Sequence, residues 1–122
     1  MVHNKKIAKL GRKKSHRVAL VTNLVKSLII HGKIDTTVTK ANVLKSRIDK
    51  IMTLAKASER VIAFKKVNAI LNDVKVTTML FDKYLVEYKD LSSGYTQRVL
   101  LNNRKGDNAL LARIAWKGTL EI

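Results

Sequence analysis

Apolar residues recur at three-and-four spacing between positions 15 and 31. Leu20, Leu24 and Leu28 share one side with His31 in line, and Val21, Val25 and Ile29 widen the stripe by one position. The spacing predicts a first helix with Ser15 as its N-cap, closed at Gly32, a residue that enters the left-handed region freely. Residues 34–38 are short, β-branched and threonine-rich, which suits a brief strand that must pair with something distant. Thr39 then reads as the N-cap of a second helix, with Asn42 giving an imperfect capping box and Ala41, Leu44, Ile48, Ile51 and Ala55 forming the inner stripe. Asp49 is placed to pair with Lys45 one turn away, but such a pair contributes only about 0.3 kcal/mol, so burial holds this helix.

Ala57-Ser58-Glu59 marks a break before a third helix over 60–71, anchored by Phe64, Val67 and Leu71 with Ile70 beside them. Asn72 or Asp73 caps a fourth helix in which Val76, Met79, Leu80 and Tyr84 line one side. The period then changes to two. After the turn-like Leu91-Ser92-Ser93-Gly94, the set Tyr95, Gln97, Val99, Leu101 alternates with Thr96, Arg98, Leu100, and Leu110, Ala112, Ile114, Trp116 alternate with Leu111, Arg113, Ala115, Lys117. With residues 102–108 as the loop, these make an antiparallel hairpin. A hairpin alone is marginal in water, so 34–38 is the natural third strand. The fold class expected is α+β, in the order helix, strand, three helices, two strands, with a small mixed three-stranded sheet packed against the helices.

Charge changes the picture at the amino end. The 122 residues carry 25 Lys and Arg against 9 Asp and Glu, a formal charge of +16. Lys5, Lys6, Lys9, Arg12, Lys13, Lys14 and Arg17 all precede the first carboxylate, Asp35. A segment so cationic and so poor in large apolar groups contributes no core, and a polyanion relieves its self-repulsion. Residues 1–14 are therefore read as a basic RNA-binding arm and 15–122 as a single globular α+β domain. There is no cysteine, which excludes disulfides and thiolate chemistry, and no apolar run of signal-peptide or membrane-spanning length. A soluble cytoplasmic protein with no membrane partner is expected.

Catalytic and metal chemistry find no support in the spacing. His16 and His31 stand at opposite ends of one helix, roughly 22 Å apart on helical rise, and cannot share an ion. No carboxylate pair has a companion base, and no glycine-rich phosphate cradle or nucleophile elbow is present. Gly106-Asp107-Asn108 lacks the alternating oxygen ligands of a cation loop and reads as a turn. No catalytic residue, metal, cofactor or small-molecule substrate is assigned, and the chain is expected not to be an enzyme. The positive signal is cationic: in Arg12-Lys13-Lys14-Ser15-His16-Arg17 the arm meets a helix N-terminus, whose amide donors and dipole also favour phosphate. Lys5, Lys6 and Lys9 fit entry of the arm between RNA strands, and Thr36 and Thr37 beside Lys33 and Lys40 offer hydroxyl contacts to phosphate or ribose. On the hairpin, Arg98 and Arg113 are expected on one solvent face, with Arg104 and Lys105 at the tip. Phe64, Tyr84 and Trp116 sit at core spacing, which favours shape-and-phosphate recognition of structured RNA over base stacking. Charge alone leaves a nucleoid-associated DNA-binding protein open as the alternative, and an RNA-processing enzyme as a third class.

The order of short motifs adds a resemblance over nearly the full length. Lys9-Leu10-Gly11-Arg12, Ser15-His16-Arg17, Asn23-Leu24, Ser27-Leu28, His31, Ile34 with Thr36-Thr37, Lys40-Ala41, Thr53-Leu54-Ala55-Lys56, Gly94-Tyr95-Thr96, and Arg104 with Gly106-Asp107-Asn108-Ala109 resemble the bacterial-type large-subunit ribosomal protein seventeen family. The resemblance implies a structural constituent of the large ribosomal subunit. It would bind the large rRNA near the polypeptide exit tunnel, among neighbouring large-subunit ribosomal proteins, with rRNA contact carried to Lys9, Arg12, Ser15, His16 and Arg17. Departures fall in the hairpin: Gln97 stands where arginine is common, Arg98 where an apolar residue is usual, and Asn103 in place of an aromatic. Alternation points Arg98 outward, supplying the missing charge one position later, whereas the family pattern points it inward.

Overall fold

In the computed structural model residues 14–118 are described. The elements run α1 (Lys14–His31), β1 (Lys33–Thr37), α2 (Val38–Lys56), α3 (Arg60–Leu71), α4 (Val74–Met79), a π-helical turn (Leu80–Tyr84), α5 (Leu85–Glu87), β2 (Thr96–Asn103) and β3 (Leu110–Trp116). The α+β class and the element order follow the periodicity, and the strands form one sheet in the order β1-β3-β2. Both pairings are antiparallel, which corrects the mixed sheet expected. Strand β1 leaves the end of α1 and runs back along β3, and the hairpin closes on the other side.

Register decides what each face of the sheet does, because residues directly opposite one another in an antiparallel ladder point to the same side. Ile34, Ile114 and Arg98 form one cross-strand row, and Thr96 lies opposite Trp116. Ala112, Ile114 and Trp116 are fully buried in the core against the helices. Lys33 opposite Ala115 and Asp35 opposite Arg113 belong to the other face.

Gly32 ends α1 as expected, at φ +83°, with its N–H donating to the Leu28 carbonyl at 2.8 Å. Ser15 is not the N-cap, since the helix already includes Lys14. The buried stripe of α1 is Val21, Val25, Leu28 and Ile29, with Leu20 and Leu24 half-buried and His31 exposed. The buried stripe is thus shifted by one position, toward the valines and Ile29. In α2 the whole expected stripe is buried, joined by Met52. Thr37, not Thr39, occupies its N-cap position, and its side chain makes no capping hydrogen bond. The Asp49–Lys45 ion pair is not formed among the described residues, and Asp49 Oδ1 is buried without a hydrogen-bond partner.

The third helix spans the residues expected, though Ala63 rather than Phe64 shares full burial with Val67 and Leu71. Phe64 is half-buried against Phe81, ring centroids 5.2 Å apart, and Ile70 is exposed. Asp73 caps α4 by accepting from the Val76 N–H at 3.3 Å, and Val76, Leu80 and Tyr84 point inward while Met79 does not. The π turn brings Phe81 and Tyr84 inward together. Strand β2 begins at Thr96, and Tyr95 and Thr96 are both buried despite the alternation. The loop tightens to residues 104–109, with Gly106 and Asn108 at positive φ and the Arg104 N–H donating to the Ala109 carbonyl at 2.7 Å.

One polar group holds the connection between helices and sheet. The Lys56 ammonium donates to the carbonyls of Tyr88 and Leu91, each at 2.6 Å, and to the Tyr95 hydroxyl at 3.1 Å, while lying 4.6 Å from the Tyr95 ring centre. A charged donor thus adds to carbonyls of the turn that follows α5, where the Tyr88 carbonyl also accepts the Leu91 N–H at 3.1 Å and the Leu91 carbonyl the Tyr95 hydroxyl at 2.8 Å. Lys56→Met keeps most of the stem but removes every donor. It should cost about 2 kcal/mol in denaturant unfolding, the scale of hydrogen bonds to charged groups; a loss under about 0.5 kcal/mol would show that water replaces the ammonium freely.

Candidate nucleic-acid interface

The sequence-predicted contacts Lys5, Lys6, Lys9, Arg12 and Lys13 lie outside the described residues. The described part of the interface begins at the first turn of α1, where Lys14, Ser15 and His16 are exposed and Arg17 is half-buried. No acidic residue occupies that turn. The start of α1 stands roughly 25 Å along the helix axis from the Gly32 junction with the sheet. This cationic end and the sheet therefore form separate surfaces.

At the β1–α2 junction Lys33 is exposed, and Thr36, Thr37 and Lys40 are half-buried. Here the fold brings together residues distant in sequence: the Arg98 guanidinium donates to the side-chain oxygen of Asn42, in the early turns of α2. Arg98 is thereby tied to α2. Arg98 lies opposite Ile114, on the helix-facing side of the sheet, yet it is exposed because β2 is an edge strand. Arg113 occupies the opposite face, so the shared face expected for these two arginines is corrected.

Two of the hairpin's arginines are already engaged with carboxylates. Arg113 makes a fork with Asp35, at 2.7 Å and 3.0 Å, and this hydrogen bond holds the Asp35 carboxyl below the usual carboxylate range. Arg104 Nε donates to Asp107 Oδ1 at 3.0 Å across the hairpin tip. The Asp107 carboxyl is held at about 2, first by this bond and then by the Ala109 N–H. The tip offers Lys105 as its unengaged cation, while Arg104 would have to leave Asp107 to reach a phosphate. That Asp107 lies only three residues from Arg104 was visible in the sequence; the Asp35–Arg113 pairing needed the strand register.

Both carboxyls titrate lower folded than unfolded. Their contribution to stability is present above the unfolded carboxylate pKa, about 3.9, and is lost as pH falls through the folded values. Replacing Asp35 and Asp107 together by asparagine should therefore flatten the acid limb of a stability-versus-pH curve below about pH 4. An unchanged limb would place the acid sensitivity in other carboxylates.

The aromatic residues are withdrawn from solvent: Tyr84, Tyr88, Tyr95, Phe81 and Trp116 are all buried. Stacking platforms on the described surface are thus scarce, as their spacing implied. One cation that sequence reasoning passed over is Arg47. It lines a cleft with Val18 and Thr22 of α1, on the α1 face that carries Lys14 one turn earlier. Among the described residues no group of His, Asp or Glu is placed to hold a metal ion, and no helix is long and apolar enough to cross a membrane.

Residues 20–117 match the family model described as ribosomal protein L17. Three relatives carry the name large ribosomal subunit protein bL17. The one from Thermus thermophilus is 43% identical over 115 residues, covering 93% of this chain and 97% of the relative. That from Syntrophotalea carbinolica is 40% identical over 109 residues, covering 89% and 70%. That from Geobacter metallireducens is 40% identical over 114 residues, and there the chain spans 64% of the relative's length.

Proposed function

The chain belongs to the ribosomal protein L17 family, and from that premise we propose that it is a structural, non-catalytic constituent of the large ribosomal subunit, bound to the large rRNA. The finer reading is that residues 1–14 act as the basic arm and 15–122 as the globular domain. The arm and the first turn of α1 are clamped on folded rRNA near the polypeptide exit tunnel, beside neighbouring ribosomal proteins. The protein then resides in the cytoplasm, within the ribosome, and needs no cofactor, membrane or small-molecule substrate.

The observation that carries this reading is the first turn of α1, where Lys14, His16 and Arg17 meet no acid and continue the cationic leader. Helix amides and the dipole add to those charges, so three attractions for phosphate coincide. Lys33, Thr36, Thr37 and Lys40 at the β1–α2 junction support a contact with another RNA segment, with Arg98 contributing from the far edge strand and Lys105 from the hairpin tip. In this reading Arg104 serves the turn first and RNA second. Ordering the arm costs conformational entropy, which phosphate contacts offset on binding.

The test is chemical footprinting of large subunits with and without this chain. Protection of rRNA segments that disappears with the chain, and that maps to cleavage tethered at residues 5 to 17, is the expected result. A nucleoid-associated DNA protein would instead be displaced equally by duplex DNA and rRNA at fixed salt, and that outcome would overturn the ribosomal reading.

A further inference from the structure

Between α1, α2 and the end of α3 lies a cleft of about 260 Å³. Val18 and Ile70 form its rim, 53% and 39% exposed, and Ile51 lies at its buried floor. No carboxylate lines it. Arg47 reaches into the same space with its guanidinium free of any hydrogen bond or ion pair among the described residues, and Thr22 adds a hydroxyl. The cleft ends against the last turn of α3, whose carbonyls from Ala69 to Leu71 receive no backbone hydrogen bond among the described residues, the Asn72 N–H returning to Asn68.

We propose that this cleft takes one unpaired nucleotide of the bound RNA, an inference that rests on the rRNA-binding reading above. Apolar walls without an aromatic platform suit the two faces of a planar base, and the polar end of the cleft matches a base edge. Arg47 and Thr22 donate to ring nitrogens or exocyclic oxygens, and the unfilled carbonyls of α3 accept from an exocyclic amine. The volume falls below the roughly 300–1,000 Å³ of drug-sized sites, which suits a single base. RNA is favoured over a protein partner because the cleft continues the α1 surface that carries Lys14, and no acid interrupts it. Single-stranded loops and bulges are the RNA elements whose bases can be splayed out into such a site.

The experiment uses the full chain bound to large-subunit rRNA, with base-edge reactivity and backbone cleavage read on the same sample. The wild-type chain should shield the Watson–Crick edge of at least one unpaired nucleotide. Arg47→Gln, and Ile70→Trp which fills the mouth of the cleft, should each restore that reactivity while the backbone protection attributed to the leader persists. Binding should weaken about tenfold for Arg47→Gln, the factor expected for one charge-assisted hydrogen bond. Thr22→Val, which keeps the volume, should give a smaller rise at the same nucleotide and supplies the test if the tryptophan variant fails to fold. Unchanged base reactivity in Arg47→Gln and Thr22→Val, with leader protection intact, would overturn the inference and leave the ribosomal reading standing. Absence of leader protection in the wild type would overturn both.

Discussion

Trp116→Ala should destabilise the protein by about 3–5 kcal/mol, the range for deleting a buried aromatic side chain. Against a total stability of roughly 5–15 kcal/mol for a domain, that loss removes a large share of the folded population. The reason lies in how many elements meet at this one ring. Trp116 is fully buried at the end of β3, stacked on Tyr84 at 4.1 Å and on Tyr88 at 5.7 Å, both at 15°. Its indole N–H donates to the Leu28 carbonyl at 3.2 Å, and its backbone N–H to the Gly32 carbonyl at 3.3 Å. The Tyr84 hydroxyl fills the next carbonyl of the same helix end, Ile29, at 2.9 Å. Two aromatic donors therefore close the last turn of α1 from inside the core.

The Leu28 carbonyl also receives the Gly32 N–H, so losing the indole does not leave it empty. Most of the cost is then the cavity, and Trp116→Phe, which keeps a ring in the stack, should lose about 1–2 kcal/mol. The ordering Ala much worse than Phe is the result to look for in urea unfolding followed by far-UV circular dichroism, because the substitution removes the chain's single tryptophan. Equal losses for the two variants would mean that the hydrogen bond, not the packing, dominates.

This convergence also explains what the sequence could and could not reveal. The period-two pattern placed Trp116 in the core, and the spacing of Ala41, Leu44, Ile48, Ile51 and Ala55 fixed the inner face of α2, because apolar periodicity reports burial directly. The phase of α1 was legible only to within one position: leucines and valines alternate along it, and which set is buried depends on where α2 crosses. The π turn at 80–84 left no local mark, since the residues that it turns inward, Phe81 and Tyr84, are equally compatible with an ordinary helix. At β2, Tyr95 precedes the first paired residue and so escapes the alternation that governs the strand.

For the interface, the identity of the cations was legible but their engagement was not. Lys56 reads as one more surface charge, yet its long stem carries the ammonium to two carbonyls more than thirty positions away. Arg113 reads as a free arginine until the register sets it beside Asp35. Arg98 shows the limit of face arguments at an edge strand, where a side chain can share the helix-facing side and still reach solvent. Subtracting the engaged cations from the expected contacts leaves the start of α1, the β1–α2 junction and Lys105 at the hairpin tip with charge to spare, and Arg47 joins them.

Replacing Arg12, Lys13, Lys14 and Arg17 together by alanine should have the largest effect on RNA binding. Each phosphate neutralised by a side-chain cation releases condensed counterions, with a slope of log affinity against log salt between about −0.7 and −0.9 per contact. If all four side chains sit on phosphates, the variant's slope should be shallower by about 3, and between 50 and 200 mM salt the wild type should lose roughly 60-fold more affinity than the variant. The slope is the decisive quantity because a fold defect lowers affinity without changing the number of ions released by the molecules that do bind. Lys14 is exposed in the first turn of α1 and Arg17, half-buried, stands one turn before the buried Val21 without itself entering the core, so unfolding temperature should move less than for a core deletion. A parallel downward shift with an unchanged slope would remove phosphate contact from this end of the chain and move the RNA interface to the β1–α2 junction.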